Sequence, residues 1–120
     1  MSRTPQAEIV RIRQMRPEEA GLCEAILRAL PDWFGLEQSI VQYRRDLEKM
    51  DTYVAEFDGT IAGFLALAQH NPHTAEIHVM AVQQKYHRHG LGRALVVHVE
   101  QVLTQRTASY LEVNPTSAVF

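Results

Sequence analysis

The sequence predicts an α/β (α+β) fold in which a mixed central sheet is flanked by helices, with the element order βααβββαβ. Three observations lead to this prediction. Short runs rich in β-branched residues read as strands, and three longer segments carry apolar residues at helical spacing. Turn signals at Asp58-Gly59 and at residues 87–92 separate these runs sharply. Strands and helices in this order form helices packed on one sheet.

The first fifty residues are predicted to form one strand and two helices. Residues 7–14 alternate in a way typical of a strand. The segment Arg16-Pro17-Glu18-Glu19 favours a helix start, because proline fits the first turn and acidic side chains suit the positive end of a helix. The apolar stripe of this helix comprises Leu22, Cys23, Ile26, Leu27 and Leu30. A second helix over residues 36–50 has apolar Ile40, Val41, Tyr43 and Leu47, with Asp46 among its solvated charges.

Three further strands, a helix and a last strand are predicted for the rest of the chain. Residues 53–57 and 60–68 flank Asp58-Gly59, which is a strong signal for a two-residue hairpin. Asn71-Pro72-His73 predicts the next turn, into a strand over residues 75–82. After the turn at residues 87–92, apolar spacing predicts a helix that ends near Gln105, and residues 110–113 form a short final strand.

The turn at residues 87–92, His-Arg-His-Gly-Leu-Gly, connects a buried strand to a helix. A helix N-terminus offers backbone N–H groups without internal partners and the positive end of its dipole, so it suits a phosphate. Gly90 and Gly92 let a ligand approach the backbone closely. A Walker P-loop is excluded because Arg93-Ala94 follows Gly92 in place of Lys-Ser/Thr. A dinucleotide fingerprint is excluded because Leu95 stands where a third glycine or alanine is needed.

This segment resembles the GNAT acyltransferases, whose cofactor motif is Arg/Gln-x-x-Gly-x-Gly/Ala between a strand and a helix. The resemblance includes the strand end Ala81-Val82, the spacer at residues 83–86 and the helix start Arg93-Ala94-Leu95. Asp58-Gly59 matches the family's hairpin, and Tyr110-Leu111-Glu112-Val113-Asn114 is similar to its fifth strand and the asparagine that follows. The likeness extends from about residue 9 to residue 114, and its one departure is His87 at a position normally occupied by Arg or Gln.

The resemblance implies that acetyl-CoA is the cofactor and assigns residues to it. The main chain of Met80 and Val82, at a splayed strand end that includes Ala81, would contact the pantetheine arm. Asn114 would also contact the cofactor, and Trp33 and Phe34 would border the acceptor pocket. The turn would hold the phosphates through His87, Arg88, His89, Gly90, Leu91, Gly92 and Arg93. The alternatives are solvated charge for the arginines, a turn residue for the asparagine and aromatic capping of the core.

Two titratable residues on the strand before the turn are candidates for catalysis. Glu76 resembles, by its spacing to the turn, the glutamate that acts as general base in the histone-modifying branch of the family. Its alternative role is an exposed strand residue paired with a lysine or arginine. His78 lies two residues further on the same face and is a candidate for orienting substrate or relaying a proton. Its alternative role is a histidine that makes one hydrogen bond and packs.

Size and composition exclude several functional classes. The 120 residues are expected to form one domain, residues 1–120, and a net charge of −2 offers no basic surface for nucleic acid. No apolar run approaches the roughly 20 residues of a membrane span, and the N-terminus lacks the apolar core of a signal peptide. The single Cys23 cannot form an internal disulfide, so a cytoplasmic location is expected. The six histidines lack zinc-site spacing, so no metal is predicted.

The resemblance therefore implies an N-acetyltransferase that transfers an acetyl group from acetyl-CoA to a primary amine of a small-molecule or peptide acceptor, with a strand carboxylate as general base. Family members continue with a helix, which usually carries a tyrosine near the thiol sulfur of CoA, and two more strands. Because this sequence ends at Phe120, we expect a GNAT-like sheet without that helix and those strands. The alternatives are a CoA-binding or interaction module without turnover, and a purely structural fragment whose open sheet edge pairs with another chain. The same open edge also suggests a homodimer.

Overall fold

The structure is a computed structural model that describes residues 9–30, 37–71, 74–106, 110–112 and 118–119. Its strands are β1 (Val10–Gln14), β2 (Asp51–Phe57), β3 (Thr60–Asn71), β4 (Thr74–Val82), β5 (Tyr110–Glu112) and β6 (Ala118–Val119). Its helices are α1 (Ala20–Arg28), α2 (Glu37–Lys49) and α3 (Leu91–Gln105), with short 3-10 helices at Pro17–Glu19 and Gln84–Tyr86. The predicted order βααβββαβ is confirmed as far as β5, and β6 was not predicted.

The sheet has the order β1-β2-β3-β4-β5. The first four strands pair antiparallel, whereas β5 and β6 both pair with β4 in parallel. The predicted hairpin joins β2 to β3: Asp58 has φ 50° and Gly59 has φ 85°, which are the two positive values that a type I′ turn needs. The Asp58 carboxylate also accepts a hydrogen bond from the Ile9 amide (3.1 Å), so the hairpin holds the start of the first strand.

Helices cover the two faces of the sheet and create two buried clusters. The helix α3 packs Leu91, Leu95, Val99 and Leu103 onto one face. Helices α1 and α2 pack Cys23, Ile26, Leu27 and Leu47 onto the other face. Leu22 and Val41 were assigned to the apolar stripes, but they are 54% and 38% exposed, so those assignments are wrong. In α1, the positions 23, 26 and 27 already complete the buried face, and residue 22 is rotated about 100° away from residue 23.

Several sequence predictions fall outside the described residues. These concern Trp33, Phe34, Pro72, His73, Val113 and Asn114. Where the chain is described, β2 begins two residues earlier than predicted, because Asp51 and Thr52 pair with β3. The strand β3 runs on to Asn71, because Gln69 and Asn71 pair with the first residues of β4. No helix within the described ranges combines the length and the apolar character needed to cross a membrane.

An ion-pair cluster ties β1, β2 and the start of α1 together. Arg13 contacts the carboxylates of Glu19 (2.6 Å) and Glu56 (2.8 Å), and all three side chains are largely buried. Glu19 also accepts a hydrogen bond from the Arg16 amide (2.8 Å), which closes the capping box that precedes α1. The hydrogen bonds from Arg13 outweigh the opposing effect of burial and lower the pKa of Glu19 to about 2.

Candidate functional site

The helix α3 begins inside the predicted turn, because Leu91 and Gly92 are already its first two residues. Gly90 precedes the helix with φ 75°, a left-handed conformation that favours glycine. The first helical hydrogen bond runs from the Ala94 amide to the Gly90 carbonyl (2.9 Å), so the amides of residues 90–93 have no acceptor within the helix. No described side chain caps this end, and its first turn contains no acidic residue. These donors and the positive end of the dipole are therefore suited to an anion.

The two histidines of the turn fix its shape. The Nε2 atom of His87 lies 2.9 Å from the carbonyl oxygen of Val82, so the ring N–H donates a hydrogen bond back to the end of β4. The ring of His89 packs edge-on against Phe57 of β2, with 4.9 Å between the ring centroids. His87 thus occupies the first position of the motif and holds the turn against the strand, while His89 holds it against the hairpin.

Two arginines bring positive charge to the N-terminus of α3. Arg88 is exposed and has φ 73°, so its backbone takes a left-handed conformation one residue before His89. Arg93 is exposed in the first turn of α3. Together with Gly90, Arg93 lines an open groove of about 400 Å³ beside Ile12 of β1. The charge of these guanidinium groups adds to the field of the helix N-terminus.

The outer edge of β4 carries two short strands in place of one long partner. Residues 74–76 pair with β5, and Val79 and Met80 pair with Ala118 and Val119 of β6. Residues 77–78 have no ladder partner on this edge, and neither do Ala81 and Val82, within the described part of the chain. The strand end that is expected to contact the pantetheine arm thus pairs with β6 at Met80, and its role in cofactor binding stays a prediction.

A β-bulge at His78 shapes the face of β4 that carries both catalytic candidates. Ala66 of β3 pairs with Val79, whereas the next residue, Leu67, pairs with Ile77, so β4 has one extra residue at this point. Ile77 points into the α3 cluster, and Val79 points into the cluster formed with α1 and α2. His78 contacts α2, so it lies on the α1–α2 face.

Strand alternation places Glu76 on this same face. Glu76 pairs across the sheet with Ala68 of β3 and with Glu112 of β5. Only 8% of its surface is exposed, so the alternative of an exposed strand residue is wrong. The structure thus brings Glu76 and His78 to one face of β4, six and four residues before the end of this strand at Val82.

The ring of His78 is held by α2. Its Nε2 atom lies 2.8 Å from Oδ2 of Asp46, and the ring of Tyr43 meets it edge-on, with 5.8 Å between centroids. Asp46 was predicted to be solvated, but its side chain is only 16% exposed, so that prediction is wrong. The sequence did indicate that Asp46 is partly buried: it lies three residues after Tyr43 and directly before Leu47, at the border of the buried stripe.

A cavity on the α1 side lies away from these residues. It measures about 710 Å³ and is bounded by the Arg13–Glu19–Glu56 cluster, by α1 and by Gln83, just beyond the end of β4. Arg13 directs its hydrogen bonds to the two glutamates and to the Gln14 carbonyl, so the polar side of the cavity is a structural ion-pair network. In the described ranges, no three His, Cys, Asp or Glu side chains are close enough to hold a metal ion.

Comparisons with known proteins agree with this arrangement. The sequence model of the acetyltransferase (GNAT) family matches residues 20–118. Among curated proteins, an uncharacterized N-acetyltransferase from Chlorobaculum tepidum is 32% identical over 68 residues, which are 57% of this chain and 41% of that protein.

Solved structures share the fold. The ribosomal-protein-S18-alanine N-acetyltransferase from Escherichia coli superposes with a TM-score of 0.73 at 21% identity, covering 88% of this chain and 66% of that chain. A Mycobacterium tuberculosis protein solved in complex with CoA superposes with a TM-score of 0.70 at 23% identity, covering 86% of this chain and 63% of that chain. The chain thus spans less than two thirds of the length of these three proteins. Because the family model matches most of its length, the chain belongs to the GNAT acetyltransferase family.

Proposed function

We propose that this chain is an N-acetyltransferase that moves the acetyl group of acetyl-CoA to a primary amine. One observation carries the proposal: the strand that holds Glu76 and His78 leads, through a short 3-10 helix and the turn, to a helix N-terminus with two flanking arginines whose first amides have no acceptor within the helix. His78 precedes Val82 by four residues, about 13 Å at roughly 3.3 Å per strand residue. An extended pantetheine arm along β4 spans that distance, so phosphates at α3 place the acetyl group beside the titratable residues.

Each part of the site has a role in this proposal. The donor, acetyl-CoA, supplies an acetyl group already activated as a thioester. The amides of residues 90–93, with Arg88 and Arg93, hold its phosphates, and the main chain of residues 80–82 holds its arm. Glu76 accepts a proton from the acceptor amine, directly or through water. Because Met80 pairs with Val119, β6 has to leave that position when the arm binds along it.

The acceptor is proposed to be a peptide or small-molecule amine. The Escherichia coli relative is named for an alanine of a ribosomal protein, so a peptide with an N-terminal alanine is the first acceptor to test. A cytoplasmic location fits a thiol at Cys23 that is free and buried. Pairing of two copies is proposed at the β5 edge, where the described part of the sheet ends after three residues.

A turnover assay tests the proposed function. Acetyl-CoA is mixed with the chain and one of three amines, an alanine-terminated peptide, L-lysine or kanamycin, and the released CoA thiol is measured. We expect release with at least one amine and a decrease in kcat of roughly 100-fold in Glu76→Gln. Glu100→Gln, which changes an exposed glutamate of α3, serves as the matched control and keeps full activity. Binding without turnover would support the CoA-binding module, and absence of both would overturn the proposal.

A further inference from the structure

His78 of β4 and Asp46 of α2 form a hydrogen-bonded pair on the α1–α2 face. The Nε2–Oδ2 distance is 2.8 Å, and the two side chains are 26% and 16% exposed. Gln42, one turn earlier on α2, donates a hydrogen bond from its amide to the other oxygen of Asp46 (2.9 Å). Each oxygen of Asp46 thus has a donor, which fixes the plane of the carboxylate and the direction from which it meets the imidazole.

This contact determines which ring nitrogen of His78 carries the proton. An ionised carboxylate can only accept, so Nε2 is the protonated nitrogen and Nδ1 of the neutral ring has a lone pair. In the described part of the chain, Nδ1 makes no hydrogen bond. The edge-on contact with Tyr43 restricts rotation of the ring. The imidazole is therefore oriented in advance as a proton acceptor at Nδ1, by the logic that an aspartate applies to a catalytic histidine.

The charged and titratable groups that surround the ring of His78 favour proton acceptance at Nδ1. From α2, Asp46 places a negative charge against Nε2 and Tyr43 contributes its ring; from β4, Glu76 shares the face. When Nδ1 takes a proton, the adjacent carboxylate stabilises the imidazolium that forms. The bulge supports the arrangement, because the extra residue lets His78 face α2 while Ile77 and Val79 stay buried in the two clusters.

We propose that Asp46 is a positioning residue that makes Nδ1 of His78 the first proton acceptor of the acetyl transfer, an inference that rests on the proposed function. An acceptor amine enters as an ammonium ion and must lose two protons. His78 takes the first, which frees the lone pair of the nitrogen. That pair forms the C–N bond at the thioester carbonyl, the C–S bond breaks, and its electrons leave on sulfur. Glu76 takes the second proton from nitrogen, and one of the two protons passes to the thiolate while the other returns to solvent.

The test compares Asp46→Asn with Glu48→Gln in the full chain. Both changes remove one carboxylate charge from α2, but Glu48 is half exposed and pairs with Arg44. The tautomer of His78 is read from the nitrogen NMR signals of its ring, without substrate. In D46N the new amide donates to Nε2, so we expect the proton to move to Nδ1. Turnover is measured with the best acceptor of the three-amine panel, and kcat is expected to fall roughly 100-fold with KM for acetyl-CoA unchanged. E48Q is expected to change neither the tautomer of His78 nor kcat.

Each outcome decides the proposal. A tautomer shift together with the loss of kcat supports it. An unchanged tautomer in D46N overturns the positioning role, and a shifted tautomer with normal kcat overturns the proton-accepting role of His78. If the unaltered chain turns over none of the three amines, the proposed function and the catalytic role fall together. The NMR comparison still decides whether Asp46 sets the tautomer, so the two failures are distinguishable.

Discussion

Glu19 is predicted to contribute a stability that depends on pH, because its carboxylate is ionised among hydrogen-bond donors. Arg13 donates to both oxygens (2.8 and 2.6 Å), and the Arg16 amide donates to Oε1 (2.8 Å). The hydrogen bonds from Arg13 are the main reason why the pKa of Glu19 falls from its ordinary 4.5 to about 2, against an opposing effect of burial. The variant Glu19→Gln keeps the size of the side chain and removes its charge.

The magnitude follows from the difference between these two pKa values. One pKa unit corresponds to about 1.36 kcal/mol, so ionised Glu19 stabilises the folded state by about 3 kcal/mol at pH 7. Because the pKa is lower in the folded state, this stability is fully present above pH 4.5 and is lost as the pH falls through about 2. At pH 3 about 1 kcal/mol remains. The effect of the substitution should therefore shrink by about 2 kcal/mol between pH 7 and pH 3.

Urea unfolding followed by circular dichroism measures this effect at both pH values. The matched control is Glu48→Gln, which removes a half-exposed carboxylate paired with Arg44 and should cost less than about 0.5 kcal/mol at either pH. An equal loss of unfolding free energy in E19Q at pH 7 and pH 3 would refute the electrostatic argument. So would a loss at pH 7 no larger than that of the control.

Three further predictions concern packing, thiol chemistry and the β4 edge. Gly63→Ala should lower the unfolding free energy by about 1–3 kcal/mol in urea, because its Cβ would lie 2.9 Å from a carbonyl oxygen of β4. Gly21→Ala, whose Cβ would make only an ordinary 3.8 Å contact, should raise the unfolding free energy by up to about 1 kcal/mol. Equal changes of unfolding free energy in the two variants would contradict the packing argument. Burial raises the pKa of Cys23 to about 12, so a thiol reagent at pH 8 should react roughly 100-fold more slowly with the folded chain than with the urea-unfolded chain, and equal rates would disprove this. Deleting residues 118–120 frees the outer edge of Met80 and should tighten CoA binding roughly 5-fold in calorimetry, whereas unchanged affinity would place the arm elsewhere.

Local sequence patterns were sufficient to predict most of the fold. The Asp58-Gly59 pair can adopt two positive φ angles in succession, so it predicted both the hairpin and its position. The helical spacing of Leu95, Val99 and Leu103 matched the buried face of α3, to which the structure adds Leu91 from the predicted turn. The strand β6 could not be predicted, because it is two residues long and exists only through its pairing with β4.

In the candidate site, the parts formed by local contacts could be predicted and the parts formed by distant contacts could not. The turn at residues 87–92 is a local motif, so its place at the start of α3 followed from spacing alone. The partner of His78 lies 32 residues away on α2, and nothing in the local pattern indicates that Asp46 reaches it. The roles of His87 and His89 as anchors likewise depend on a strand end and a hairpin that meet the turn only in the folded chain.

The central claim, that acetyl-CoA binds at the N-terminus of α3, is tested most directly by calorimetric titration of three chains. Gly92 lies in the first turn of this helix, and a Cβ there would meet the Met80 side chain at an ordinary 3.7 Å, so Gly92→Ala fits the fold and serves as the control for Gly92→Asp. An aspartate suits a helix N-terminus but repels phosphate. We predict that the unaltered chain and G92A bind acetyl-CoA and that G92D binds at least roughly 10-fold more weakly. Absence of binding by the unaltered chain, or equal affinity in G92D, would contradict the account.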